Sequence, residues 1–214
     1  MAGVGLGGAG GDGEARGATA IVPNRGYLAG LVVQEAAARA KRFNSKLDVV
    51  LTYQSTGARL HIGGWEAALD KDKTILPAAG VTRVVNCAEE LTNVHEDSPE
   101  FKYVNFHPLE WEESDLDMDT HDGVLAFYDP VFSFVEAALS DGRSVLIHCF
   151  AGAHRAGSTG VACVMRFGGL PLAEAVAHCQ GCRAVVDPFL FDELATLLTK
   201  LEAALIDKGV VKKA

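Results

Sequence analysis

No run of eighteen consecutive apolar residues occurs in this chain of 214, so no membrane span is expected. The start, Met1-Ala-Gly-Val-Gly-Leu-Gly-Gly, lacks a basic stretch followed by an apolar one, and no secretory signal is expected there. Positive charge is scarce: 19 Lys and Arg stand against 28 Asp and Glu, for a net charge of −9. That sign argues against nonspecific binding to nucleic acid and against attraction to an anionic membrane. The five cysteines are an odd count without the density of a disulfide framework, which points to free thiols in a reducing compartment. The expected location is the cytoplasm, with the nucleus left open. What is present is globular: 49% hydrophobic and 22% charged, enough for one packed core.

Residues 1–20 are glycine-rich with little to bury, and read as a disordered tail. Residues 21–47 form an N-terminal extension whose Ala-rich run at 34–43 favours helix. A folded domain then spans 48–206, followed by a short tail at 207–214. Within it, strands are expected at 48–54, 59–63, 82–87, 102–106 and 144–148. Helical patterns are expected at 65–79, 123–139, 154–167, 171–180 and 188–206. An acidic loop fills about 110–122. Strands alternating with helices predict an α/β fold: a central, mostly parallel sheet flanked by helices.

The informative stretch is Val145–Thr159, VLIHCFAGAHRAGST. It reads as a buried strand, a seven-residue loop from Cys149 to Arg155, and a helix. A loop at a helix N-terminus can turn successive N–H groups inward and cradle an anion without a metal. Gly152 permits the sharp turn. Cys149, beneath those dipoles and close to Arg155, is placed to ionise and attack. Arg155 offers a planar fork for two phosphate oxygens. Phe150, Ala151, Gly152, Ala153 and His154 complete the expected substrate cradle, and His148 is placed to support the thiolate. The Cys-x5-Arg spacing alone is weak. The apolar strand before it, the histidine, the Ala-Gly pair and the helix after it make the pattern specific.

HCFAGAHRAG resembles the His-Cys-x-x-Gly-x-x-Arg signature of the cysteine-dependent protein tyrosine phosphatases. The upstream HIGGWEAALDKDKTILPAAGVTRVVNCAEE is similar to that of their dual-specificity subgroup. The resemblance covers roughly 48–206, which makes that stretch the catalytic domain. It implies a phosphatase-like fold and a cysteinyl-phosphate route: Cys149 attacks phosphorus, an aspartic acid protonates the leaving oxygen, and water releases phosphate. By position in the acidic loop the acid is Asp117 first, Asp115 second and Asp119 third. The implied partner is a phosphorylated protein bearing phosphotyrosine, with phosphoserine and phosphothreonine as a wider range. No cofactor and no metal are implied, and the oligomeric state is not.

The signature departs at one place. The family usually has Ser or Thr directly after the loop arginine, where its hydroxyl helps the thiolate leave, whereas this chain has Ala156. Slow turnover with an accumulating phosphocysteine is the expectation. VVNCAEE also resembles the inositol-lipid 3-phosphatase relative, in which a cysteine at this strand end can bond to the nucleophile. Cys87 is therefore a possible redox partner of Cys149.

Competing readings are a lipid or glucan phosphatase, and a slow or non-catalytic phosphate-binding module. Lipid-directed relatives place Lys in the loop, which this chain does not, and inactive modules usually lack the cysteine, which this chain retains. Asp115, Asp117 and Asp119 alternate as in a calcium loop, but Thr120 and Ala126 stand where Gly and Glu are needed. Cys179 and Cys182, preceded by His178, lack a second ligand pair for zinc. Trp111 reads either as a substrate-facing aromatic or as a lid that packs locally.

Overall fold

The computed structural model describes residues 46–71 and 74–212. The tail at 1–20 and the helical run at 34–43 expected from the sequence lie outside these residues. Five strands form one sheet: β1 (Leu47–Thr52), β2 (Arg59–Gly63), β3 (Val81–Asn86), β4 (Lys102–Asn105) and β5 (Ser144–His148). Their order is β1-β2-β5-β3-β4. Only the edge pair β1–β2 is antiparallel; β2–β5, β5–β3 and β3–β4 are parallel. The expected mostly parallel sheet is what the chain forms.

β5 occupies the centre, and all five of its residues are buried. A central parallel strand is covered on both faces, which is why SVLIH is an almost unbroken apolar run. Its side chains alternate between two cores, as the two-residue period of a strand requires. Val145 and Ile147 enter the larger core with Leu60, Ile62 and Val85. Leu146 enters a smaller one with Val81, Val84, Leu76 and Phe101.

The larger core is roofed by four helices: α3 (His121–Ser140), α4 (Arg155–Gly168), α5 (Leu172–Cys182) and α6 (Asp192–Asp207). By length and composition α3 is the one helix among the described residues apolar enough to cross a membrane. Here Val131, Phe132, Val135 and Leu139 instead pack into the core, and Thr120 caps the helix by accepting a bond from the Gly123 N–H at 3.0 Å. The smaller core is covered by two single turns, α1 (Trp65–Ala68) and α2 (Ile75–Ala78). One helix over 65–79 was the expectation. The chain breaks instead because the Asp70 carboxylate accepts bonds from the N–H groups of Thr74 (2.7 Å) and Ile75 (2.6 Å), which starts a new turn. The last helix also begins later than 188, at Asp192, so Phe189, Leu190 and Phe191 lie in the segment before it.

The approach of α4 to the sheet depends on Gly160. A Cβ at this position would collide with the Ile62 side chain of β2. Gly160→Ala is therefore expected to lower stability by about 1–3 kcal/mol through overpacking. A lower thermal midpoint, followed by circular dichroism, checks this.

Candidate active site

The register brings three strand ends together. Gly63 of β2 and Asn86 of β3 both lie opposite His148 of β5. The residues that follow, Gly64 and Trp65, Cys87 to Glu90, and the Cys149 loop, therefore share the carboxyl edge of the sheet. That edge is where open α/β sheets bind ligands.

The loop leads from β5 into the N-terminus of the fourteen-residue helix α4. Its carbonyls decide its conformation. The Phe150 oxygen accepts from the Trp65 N–H at 2.9 Å, and the Ala153 oxygen from the Asp187 N–H at 3.1 Å. Between them, the oxygens of Ala151 and Gly152 accept from the Arg183 guanidinium at 3.0 and 2.9 Å. Four consecutive carbonyls thus point out of the loop. Because a trans peptide sets C=O and the next N–H on opposite sides, the amides of residues 151–154 turn inward. One of them, from Gly152, donates to the Cys149 sulfur at 3.3 Å. Gly152 adopts φ +67°, and a Cβ there would strike the Gly63 carbonyl, so no other residue fits.

The site is thus an oxyanion cradle with a buried thiol at its floor. The family model described as the catalytic domain of dual specificity phosphatases matches residues 60–192. The chain belongs to the dual-specificity phosphatase family. Dual specificity protein phosphatase 1 of Arabidopsis thaliana is 31% identical over 129 residues, 60% of this chain and 59% of that protein. Dual specificity protein phosphatase 14 of Mus musculus is 30% identical over 116 residues, 54% of each. The chain therefore matches between half and three-fifths of the length of these relatives. The crystal structure of human DUSP28 is similar at 26% identity and a TM-score of 0.56, covering 75% of this chain and 95% of that one.

In this member of the family Arg155 is already engaged. Its Nη1 and Nη2 donate to the two carboxylate oxygens of Glu90, at 2.8 and 2.5 Å. The fork-to-fork pair holds Glu90 near a pKa of about 2 and raises that of Arg155. Glu90 was not among the expected site residues. The signal was the second glutamate of VVNCAEE, at the end of a strand already read as pointing into the site.

His148 is buried, and burial pushes its pKa down to about 4, so its ring is neutral near pH 7. Cys87 sits at the end of β3, its N–H bonded to the His148 carbonyl at 2.8 Å and its thiol 3.5 Å from Thr159 Oγ1. Burial raises its pKa, so it is held as a thiol.

The acidic loop opens with a 3-10 turn at Pro108–Glu113 and is fastened to α6. Trp111 is buried, and its indole N–H donates to the Glu193 carbonyl at 3.1 Å, which settles it as a packing residue. Lys200 lies over its ring and pairs with Asp119 at 2.8 Å. That lysine holds Asp119 ionised, a poor state for a proton donor. Asp115 and Asp117 are exposed and have no ion-pair partner among the described residues. Asp117 shapes the turn: its side chain accepts from the Asp119 N–H and its carbonyl from Thr120. Elsewhere, His178 Nε2 lies 2.7 Å from the Val50 carbonyl and 3.9 Å from the Cys182 sulfur.

Arg183 is the second residue that the sequence did not single out. It is buried beneath the loop, and its Nη1 pairs with Asp48 of β1 at 2.8 Å. Lysine at 183 would keep the charge for Asp48 yet could not hold both carbonyls. Arg183→Lys is expected to weaken vanadate binding by roughly tenfold, the equivalent of about one charged hydrogen bond. Calorimetric titration of wild type against the variant reads the difference.

Proposed function

We propose that this chain is a protein phosphatase that hydrolyses phosphotyrosine, with phosphoserine and phosphothreonine as a wider range, through a cysteinyl-phosphate intermediate. The observation that carries the reading is the outward turn of four loop carbonyls, which leaves amides 151–154 around the space above Cys149. Those amides bind the equatorial oxygens of the phosphate, and Arg155 leaves Glu90 to grip two of them. The Cys149 thiolate attacks phosphorus in line while the bond to the leaving oxygen breaks. Asp117, with Asp115 as the alternative, gives that oxygen its proton. In the second step the same carboxylate takes a proton from water, which attacks phosphorus and expels the thiolate. The reaction needs a reduced thiol, consistent with a cytoplasmic or nuclear setting. Cys149→Ser is expected to abolish hydrolysis of an aryl phosphate and still bind phosphate; turnover by that variant would refute the mechanism.

The second step lacks a helper. Ala156 is buried beside the nucleophile's loop and carries no hydroxyl. The nearby hydroxyls of Ser158 and Thr159 both donate to the Arg155 carbonyl, at 3.0 and 2.9 Å. Neither is free to stabilise the departing thiolate. Rapid-quench kinetics are expected to show a burst followed by slow turnover. Ala156→Ser should raise the steady-state rate by about tenfold, the worth of one hydrogen bond to a charged group.

Cys87 supports a protective role under oxidants. Asn86 and His148 are the last paired residues of β3 and β5, so Cys87 and Cys149 leave adjacent strand ends, close enough to interact electrostatically. A peroxide would convert the Cys149 thiolate to sulfenic acid, releasing hydroxide or alcohol. The Cys87 sulfur would then attack that sulfur, its proton passing to the departing hydroxyl, which leaves as water, and a disulfide remains. Mass spectrometry after peroxide treatment is expected to find the 87–149 bridge, and activity is expected to return with thiol reductant. Cys87→Ser should instead yield irreversible sulfinic acid at Cys149.

A further inference from the structure

Large apolar side chains on a protein surface are usually scattered, and a cluster marks a binding surface. Five of the eight large exposed hydrophobic residues among the described residues gather at the two ends of the catalytic loop. At one end, Phe150 is 56% exposed and stacks on Trp65, itself 42% exposed, with ring centroids 6.2 Å apart. The Trp65 N–H to Phe150 carbonyl bond fixes this pair to the loop. At the other end stand Phe189 (47%), Leu190 (57%) and Phe191 (38%). The Phe191 ring meets His154 edge-on at 5.4 Å, and the Asp187 N–H to Ala153 carbonyl bond ties this segment to the loop as well. The two apolar shelves thus flank the phosphate cradle, and both are continuous with it.

Exposed carboxylates border each shelf: Glu66 beside Trp65, and Asp187 and Asp192 on either side of Phe189–Phe191. With a net charge of −9, this fringe repels an anionic lipid leaflet and favours a partner that is apolar at the centre and basic outside. An extended peptide has that form. Its side chains alternate, so residues two before and two after the phosphorylated one point to the same face, about 7 Å away on each side. Those are the side chains that meet the shelves.

We propose that Trp65 with Phe150, and Phe189 to Phe191, form two apolar shelves that select phosphopeptides with apolar residues two positions before and after the phosphorylated residue and basic residues beyond. The selection rests on the phosphatase reading, and the test separates the two. Matched phosphotyrosine peptides would carry Leu, or Asp, at both positions, with p-nitrophenyl phosphate as a substrate that has no flanks. Wild type is expected to favour the Leu peptide by roughly tenfold or more in kcat/KM, in the range that apolar pockets supply. In Trp65→Ser with Leu190→Ser, the ratio of Leu-peptide kcat/KM to p-nitrophenyl phosphate kcat/KM should fall by a similar factor. If p-nitrophenyl phosphate is not hydrolysed at all, the catalytic reading fails. The shelves are then read by fluorescence polarisation of the same two peptides on the unmodified protein, where the same preference is expected. A preference below twofold, one that survives in the double variant, or faster hydrolysis of phosphoinositide vesicles than of either peptide overturns the proposal. So does sedimentation showing that a second copy of the chain covers the shelves.

Discussion

Arg183 holds the catalytic loop from behind, and the site depends on that grip. A seven-residue loop with three small residues at its centre has many conformations available, and most would scatter its amides. One planar guanidinium bonded to two adjacent carbonyls removes that freedom. The cation is fixed in turn by Asp48, which lies on the edge strand on the far side of the loop. The anion cradle is therefore anchored through the sheet to a strand that contributes nothing to the chemistry. Burial makes the arrangement stringent, because a buried carboxylate or guanidinium that loses its partner is costly.

The electrostatics of the front of the site run opposite to those of the back. Arg183 is committed to the protein, whereas Arg155, in the proposed mechanism, is released to substrate. Its partner Glu90 is largely exposed, so water screens the pair and its rupture is cheap compared with that of Arg183 and Asp48. On the proposed reading, a dianionic phosphate in the amide cradle competes with a screened carboxylate for the same fork. Glu90 holds the guanidinium through two hydrogen bonds and balances its charge. The pairing thus orders a long side chain that would otherwise lose rotamer freedom on binding.

Much of this was legible in the sequence wherever the signal was local. β2 and β5 fall on the residues expected, because their apolar and β-branched runs are bounded by turn residues. The Cys149–Arg155 loop is legible because its strand, glycine and helix sit in one continuous stretch. Long-range partnerships are not legible in this way. Nothing near Arg183 in the chain indicates that it supports a loop thirty residues earlier, since Asp48 and the Ala151 and Gly152 carbonyls meet it only after folding. Phe189 to Phe191 show the complementary failure. Apolar residues just before a helical pattern look like its buried face, but Pro188 and the Asp187 contact to the loop hold them in a turn facing solvent. The single helix expected at 65–79 broke for a similar reason, a side-chain cap from Asp70 that periodicity does not register.

The hydroxyl network beneath the loop joins these features into one account of rate. Thr159 donates to the Arg155 carbonyl and receives the Cys87 thiol, so one side chain touches the loop arginine, the first turn of α4 and the neighbouring strand. With Ser158 and Thr159 engaged there and Ala156 adjacent to the arginine, the floor of the site offers the thiolate amides but, among the described residues, no free hydroxyl. Amides stabilise an anion without transferring a proton, so they favour formation of the thiolate that attacks. In the proposed mechanism the same amides also bind the phosphoryl oxygens of the phosphocysteine and stabilise it. A site built this way favours capture over release. On the proposed mechanism the two features act at different steps: the apolar shelves bear on capture, because the dephosphorylated peptide departs as phosphocysteine forms, and the missing hydroxyl bears on release.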